Sequence, residues 1–259
     1  IEVTVVDDCS SIYQKVNKKL LDFHIKIIRL NNNVGSQKAI NIGLKYLKEN
    51  KIDFDYCLIM DSDGEDKAED LIKLVNYAEK NKGKIIFSSR GKRQDGFIFY
   101  LFYKIYLFFF YILTGQNINF GNFSCLPKNI VNEVINLKYR EIHHSASILK
   151  SKLPYKKIKC NRGKRFMGKS KMSLKNLVFH GLNGMAIFFK IILVRLFILS
   201  ILLIFISAII WTSNLSFVLI NLILILIFLF FLFFLKYLNK KIDKINDKQI
   251  KLEDIINNF

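Results

Sequence analysis

The stretch Leu58-Ile59-Met60-Asp61-Ser62-Asp63-Gly64-Glu65-Asp66 decides how this chain is read. An apolar run preceded by Tyr56 and Cys57 has the character of a buried parallel strand. It ends abruptly in acid. Asp61 and Asp63 stand one residue apart at the carboxyl end of the strand, which is where ligands bind in open α/β sheets. Carboxylate oxygens suit Mg²⁺ or Mn²⁺, ions that commonly carry a diphosphate. Taken alone, so short a motif reads first as a solvated acidic turn before the helix near Ala68–Lys80, so the flanking sequence has to decide.

Upstream, Ile1–Val6 alternates and is β-branched, which predicts a strand. Asp7-Asp8-Cys9-Ser10-Ser11 closes it and opens a helix running to about Phe23. Ile25–Leu30 is a second strand. Asn31–Ser36 is a turn leading into a helix over Gln37–Glu49. Asp55–Met60 is the strand already described, and Ala68–Lys80 carries Leu71, Leu74, Val75 and Ala78 at helical spacing. Lys84–Ser88 is the next strand, ending at Ser89-Arg90. Alternating strands and helices predict an α/β domain with a mostly parallel, Rossmann-like sheet covered by helices. The chain begins inside a strand without Met or a signal peptide, and the expectation is that a preceding strand and helix of the fold are missing.

Downstream, the pattern changes. Phe97–Leu113 is apolar and aromatic apart from Lys104, and is read as an interfacial helix rather than a span, since crossing there would separate two halves of one domain. Gly121–Pro127 is read as a loop and Asn129–Ser151 as helical. Lys156–Gly168 is basic through Lys156, Lys157, Lys159, Arg162, Lys164 and Arg165. Leu174–Lys190 is amphipathic. From Leu196 to Leu235 no residue is charged. That length suits two spans of about twenty residues each, broken at Trp211-Thr212-Ser213-Asn214 and flanked by Lys190, Arg195, Lys236, Lys240 and Lys241. Basic flanks on both sides place both ends in the cytoplasm. The expected organisation is a catalytic domain over 1–175, a juxtamembrane helix over 176–192, a hairpin over 193–236 (spans near 193–212 and 215–235) and a charged cytoplasmic tail over 237–259.

Composition narrows the function. The 259-residue chain has a net charge of +19 and is 51% hydrophobic. Such charge fits an anionic membrane surface or phosphorylated substrates. Nucleic acid is disfavoured, because much of the charge is juxtamembrane and no recognition helix or aromatic stacking platform is evident. Cys9, Cys57, Cys125 and Cys160 form no C-x-x-C and read as reduced thiols. His143 and His144 are adjacent and share no helix face, so they suggest no zinc site.

The ordered motifs resemble family 2 glycosyltransferases of the GT-A fold, more narrowly the membrane enzymes related to dolichol-phosphate mannosyltransferase and bacterial polyprenyl-phosphate glycosyltransferases. The residues that carry this are Val5-Val6-Asp7-Asp8-Cys9-Ser10, Asn33-Val34-Gly35 with Ala39-Ile40 and Gly43-Leu44, and Met60–Asp66. Ser89-Arg90, Leu113-Thr114-Gly115, and Arg162 with Gly168-Lys169-Ser170-Lys171 complete the set. The resemblance covers residues 1 to about 235. It implies that Asp7, Asp8, Asn33 and Gly35 bind the nucleotide, with Asp8 on the nucleoside. Asp61 and Asp63 would hold Mg²⁺ or Mn²⁺ and the diphosphate, with Glu65 beside the metal. Arg90, Arg162, Arg165, Ser170 and Lys171 would bind phosphates of donor or acceptor, although the same basic run also suits anionic headgroups.

Two departures from the pattern matter. Relatives usually begin with a strand ending in a Pro-x-x-Asn-Glu type motif, which this sequence lacks. Relatives often have Gly-Asp-Phe, with the Asp a candidate general base, where this chain has Gly121-Asn122-Phe123. Asn122 takes no proton at neutral pH. A lipid monophosphate acceptor needs no base, because its second pKa is about 6. The expected function is an inverting transfer from a nucleotide-diphosphate sugar to a membrane lipid, with polyprenyl phosphate preferred, at the cytoplasmic face. A lipid-linked sugar or cell-surface glycan acceptor, and a non-catalytic scaffold that binds sugar nucleotides, are the alternatives. Homo-oligomerisation is left open.

Overall fold

The computed structural model describes residues 1–11, 23–90, 97–161, 163–166 and 173–209, with scattered helical positions between 221 and 240. The helix expected before Phe23 lies outside these residues, as do Arg162, Ser170, Lys171 and most of the C-terminal tail. The described parts of Ile1–Arg93 and Phe120–Lys169 form one compact unit, and those of Gln94–Asn119 and Ser170–Ile245 another.

In the first unit, β1 (Glu2–Asp7) pairs in parallel with β2 (His24–Arg29), in register from Glu2 opposite His24 to Asp7 opposite Arg29. Helix α1 (Ser36–Glu49) follows and buries Ala39 and Ile42 against Ile28 and Leu30, with Val6, Val34 and Tyr46 at the margin. Then come β3 (Tyr56–Ile59), α2 (Ala68–Glu79) and β4 (Ile85–Arg90). The chain leaves this unit through α3 (Phe97–Thr114) and returns as β5 (Phe120–Pro127), α4 (Lys128–Ile135), α5 (His144–Ser151) and β6 (Tyr155–Cys160). Leu74 and Ala78 of α2 pack on Ile86, Phe123 and Cys125, forming a second apolar core.

Three expectations are corrected. The one mostly parallel sheet that was expected is, among the described residues, two sheets, β1-β2 and β3-β5-β4-β6. Gly121–Pro127 is strand, not loop: β5 lies between β3 and β4, antiparallel to both, while β4 and β6 are parallel. Gly, Asn, Ser and Pro gave this stretch the composition of a turn, yet Phe123, Ser124, Cys125 and Leu126 are all buried. Burial on both faces of a central strand overrode local propensity. The helical reading of Asn129–Ser151 breaks into two short helices, with a turn between Asn136 and His143.

Deep burial makes the internal polar groups informative. Burial pushes the Cys57 and Cys125 thiols up to about 12, which leaves them unreactive. Burial also lowers the His144 imidazole to about 4, and its Nε2 has no hydrogen-bond partner among the described residues. The unfolded chain therefore binds a proton between about pH 6.5 and 4 that the folded protein refuses. Stability from this group is complete above 6.5 and declines as the pH falls through that window, by up to about 3 kcal/mol. Denaturant unfolding at pH 7 and pH 4.5 is expected to show a smaller loss for His144→Leu than for the wild type.

The second unit comprises α3, α6 (Leu174–Ala186) and α7 (Phe189–Ile209). Phe110 of α3 meets Phe188 edge-on at 5.8 Å, and both are buried. Arg195 of α7 donates from Nη1 to the Ile112 carbonyl at 2.9 Å, so a cation caps the negative end of the α3 dipole. The turn there needs Gly115: its φ is +71°, and a Cβ would lie 2.3 Å from Arg195 Nη2. The outward residues remain apolar. Phe102, Phe108 and Phe109 of α3, and Val194, Phe197 and Phe205 of α7, are all more than half exposed. Among the described residues, no single helix is long and apolar enough to cross a membrane; Lys175–Ala186 and Phe189–Leu202 pass together, bent by 81°. Trp211–Asn214 lies outside the described residues, and the described positions of 215–235 are all helical.

Candidate active site

The topology gathers chemistry at one end of the four-stranded sheet. β3, β4 and β6 all end there, and β5, being antiparallel, begins there. The acidic loop after β3, Ser88 on β4, Gly121–Phe123 at the start of β5, and Cys160-Asn161 at the end of β6 therefore line one open cleft. Asp61, Glu65, Asp66, Lys67 and Asp70 complete its wall.

The acidic loop is tightly organised. Asp66 Oδ2 accepts from the Asp61 amide at 3.0 Å, and Asp63 Oδ1 accepts from the Glu65 amide at 3.0 Å. Gly64, at φ +87°, makes the reversal between them. A short segment after β6 lies across this loop. The Gly163 amide donates to the Glu65 carbonyl at 2.8 Å, and the Phe166 amide to the Asp63 carbonyl at 2.9 Å. The approach is so close that a Cβ on Gly163 would sit 2.4 Å from the Gly64 carbonyl oxygen, and one on Gly64 would meet the Phe166 ring at 2.6 Å. Arg165 ends in the same place. Its Nη2 is 2.8 Å from Asp63 Oδ2 and 3.5 Å from Glu65 Oε1. Asp63, one of the two residues expected to hold a metal, thus shares a guanidinium with Glu65.

At the β1-β2 sheet, Asp7 pairs with Arg29 at 3.6 Å and accepts from the Ser10 amide at 2.9 Å, so it closes the turn after β1. Asp8 accepts from the Val34 and Gly35 amides at 2.6 and 2.8 Å, and Asn33 Nδ2 donates to the Asp8 carbonyl at 3.2 Å. Asp8, Asn33 and Gly35 are thus brought together with Val34, the Asp8 carboxylate tying the turn after β1 to the glycine turn before α1. Each carboxylate oxygen has a second lone pair for a ligand hydroxyl.

Asn122 lines the cleft, and its Oδ1 accepts from Gln37 Nε2 at 3.2 Å. Gln37 Oε1 in turn accepts from the His144 amide at 2.6 Å. The backbone of Arg90 ends β4 at the same end of the sheet. Asp63, Glu65 and Arg165 are brought together; Arg162, Ser170 and Lys171 lie outside the described residues. Gln37, Asp66, Asp70 and Asn161 carried no sequence assignment. Asp66 alone had a visible signal, as the last acid of the cluster. Asp70 is almost wholly buried beside Lys73, 2.6 Å away.

Among the described residues, no three His, Cys, Asp or Glu groups are arranged to hold a metal ion. Mg²⁺ ordinarily takes only one or two protein carboxylates and completes its shell with water and substrate phosphates. The hard oxygens of Asp61 and Asp63 fit that mode of binding.

A cleft at the carboxyl ends of β3, β4 and β6, lined by acids of which Glu65 also meets Arg165, is suited to a phosphorylated ligand. The chain belongs to glycosyl transferase family 2, whose family model matches residues 1–135. No match was found among curated proteins. The matched span runs from β1 through α4 and so takes in the acidic loop and Asn122. The protein is accordingly a glycosyltransferase, which uses a nucleotide-sugar donor and an acceptor.

Proposed function

We propose that the enzyme transfers a sugar, with inversion, from a nucleotide-diphosphate sugar to a membrane lipid phosphate of the polyprenyl class, at the cytoplasmic face of a membrane. The observation that carries this reading is Asn122 in the cleft, where relatives often place a carboxylate. Three of the acids that line the cleft with it are engaged: Asp66 by the Asp61 amide, Glu65 by Arg165, and Asp70 by Lys73. A hydroxyl acceptor needs a base as it attacks. A phosphate monoester arrives ionised and needs only to be held.

In this reading Asp8, with Asp7, Asn33 and Gly35 shaping its loop, receives the nucleoside. Asp61 and Asp63 hold Mg²⁺ or Mn²⁺, which when bound supplies positive charge for the departing diphosphate. Arg165 serves as counter-ion to Asp63 and Glu65 before the donor arrives and is drawn to phosphate oxygens afterwards, since both bind a guanidinium through the same two-pronged geometry. Arg90, Arg162, Ser170 and Lys171 extend that phosphate-binding surface. The acceptor phosphate then displaces the diphosphate in one step at the anomeric carbon.

The exposed apolar faces of α3 and α7, together with the uncharged stretch Leu196–Leu235, support a membrane location. The test uses the full chain in detergent with Mg²⁺ and a panel of nucleotide sugars. Release of nucleoside diphosphate is expected with polyprenyl monophosphate and not with polyprenol. Equal release with polyprenol would favour a hydroxyl acceptor; donor binding without release under any condition would favour a scaffold.

A further inference from the structure

We infer that Gln37 is a positioning residue that fixes Asn122 as a hydrogen-bond donor toward the cleft, where its amide N–H groups receive an oxygen of the acceptor phosphate. The inference rests on the lipid-phosphate reading above and adds the device that selects for it.

The direction of the chain of hydrogen bonds is set at its far end. The backbone N–H of His144 can only donate. The Gln37 atom 2.6 Å from it must therefore be the amide oxygen, Oε1. That leaves Gln37 Nε2, which can only donate, facing Asn122 at 3.2 Å. The Asn122 atom it meets must then be Oδ1. The free end of the Asn122 side chain is its NH₂ group, with two donors and no acceptor. An amide orientation that is ordinarily ambiguous is thus fixed by a main-chain group whose polarity has no alternative.

The surroundings hold this chain in place. The start of α5 is stitched to β5, because Ser145 Oγ donates to the Gly121 carbonyl at 2.8 Å. Ser124 Oγ donates to the Asn122 carbonyl at 2.8 Å, fixing the backbone on the other side. His144 and Ser145 are both buried, so the terminal donor does not exchange partners with water. Four carboxylates, Asp61, Glu65, Asp66 and Asp70, line the same cleft, and a neutral donor facing them supplies the kind of contact an anionic oxygen needs there. An Asp at position 122 would repel the same oxygen.

Gln37→Glu tests the polarity. At pH 8 its carboxylate accepts from the His144 amide with one oxygen and offers Asn122 only another acceptor. Asn122 must then turn its NH₂ inward and present Oδ1 to the cleft. The KM for polyprenyl monophosphate is expected to rise about ten-fold or more, the cost of one lost hydrogen bond to a charged group, while the donor KM stays within about two-fold. Asn122→Ala should give the same split, which guards against a folding defect peculiar to Gln37→Glu. A wild-type enzyme that used polyprenol as readily as its phosphate would overturn the acceptor reading. A wild type that required the phosphate, paired with a Gln37→Glu variant of unchanged acceptor KM, would overturn the relay alone.

Discussion

Replacing Asp63 by Asn is expected to lower nucleoside diphosphate release by about 10²–10³-fold, the scale of removing one charged group from a preorganised site. Asn is the informative substitution. Asp63 Oδ1 accepts from the Glu65 amide and helps shape the acidic loop; an amide oxygen preserves that bond while the charge disappears. Asp63 Oδ2 is the atom on Arg165. The loss should therefore appear in turnover, and in the affinity for Mn²⁺ measured by titration, while thermal unfolding stays near that of the wild type. Asp63→Ala would add a turn defect to the charge defect and confuse the two. Near-normal turnover in Asp63→Asn would remove this residue from the leaving-group chemistry.

Arg165→Gln is expected to lower kcat/KM for the donor by about 10²-fold, with Arg165→Lys recovering only part of the loss, because a point charge does not reproduce a planar fork. A second consequence needs no substrate. Arg165 is the side-chain tie between the segment after β6 and the acidic loop. Without it, the Gly163 and Phe166 amides, which donate to Glu65 and Asp63 carbonyls, should exchange with deuterium faster. The tie is only partly buried, so its worth to overall stability is modest. Unchanged donor kinetics together with faster exchange would make Arg165 a structural strap and leave the diphosphate to other cations.

The parts of this site that sequence makes legible are those in which local chemistry and burial agree. Leu58-Ile59-Met60 followed by five polar or acidic positions around Gly64 reads as a strand end and a turn, and the structure puts it there. Asp8 with Asn33–Gly35 is legible for the same reason, since an acid and a glycine turn at successive strand ends bring amides and carboxylate together. β5 is not legible, because its evidence is tertiary. Asn122 and Ser124 look like turn residues until β3 and β4 close on both sides. Gln37 is silent in the sequence altogether: its role depends on the His144 amide, more than a hundred residues along the chain.

The same distinction separates the two halves of the proposed reaction. The leaving-group side is written in a contiguous motif. The acceptor side is assembled from α1, β5 and α5 and appears only after folding. The basic segment that follows β6 belongs partly to both, since Arg165 touches the acidic loop directly.

The anomeric configuration of the product tests the central claim most directly. A lipid phosphate that displaces the nucleoside diphosphate in one step, held by Asn122 and by the basic segment, must enter from the face opposite the leaving group. The sugar–phosphate linkage, read by NMR on the polyprenyl-phosphate product, is predicted to have the configuration opposite to that of the donor. A retained configuration would exclude a one-step displacement from the opposite face and would contradict the account.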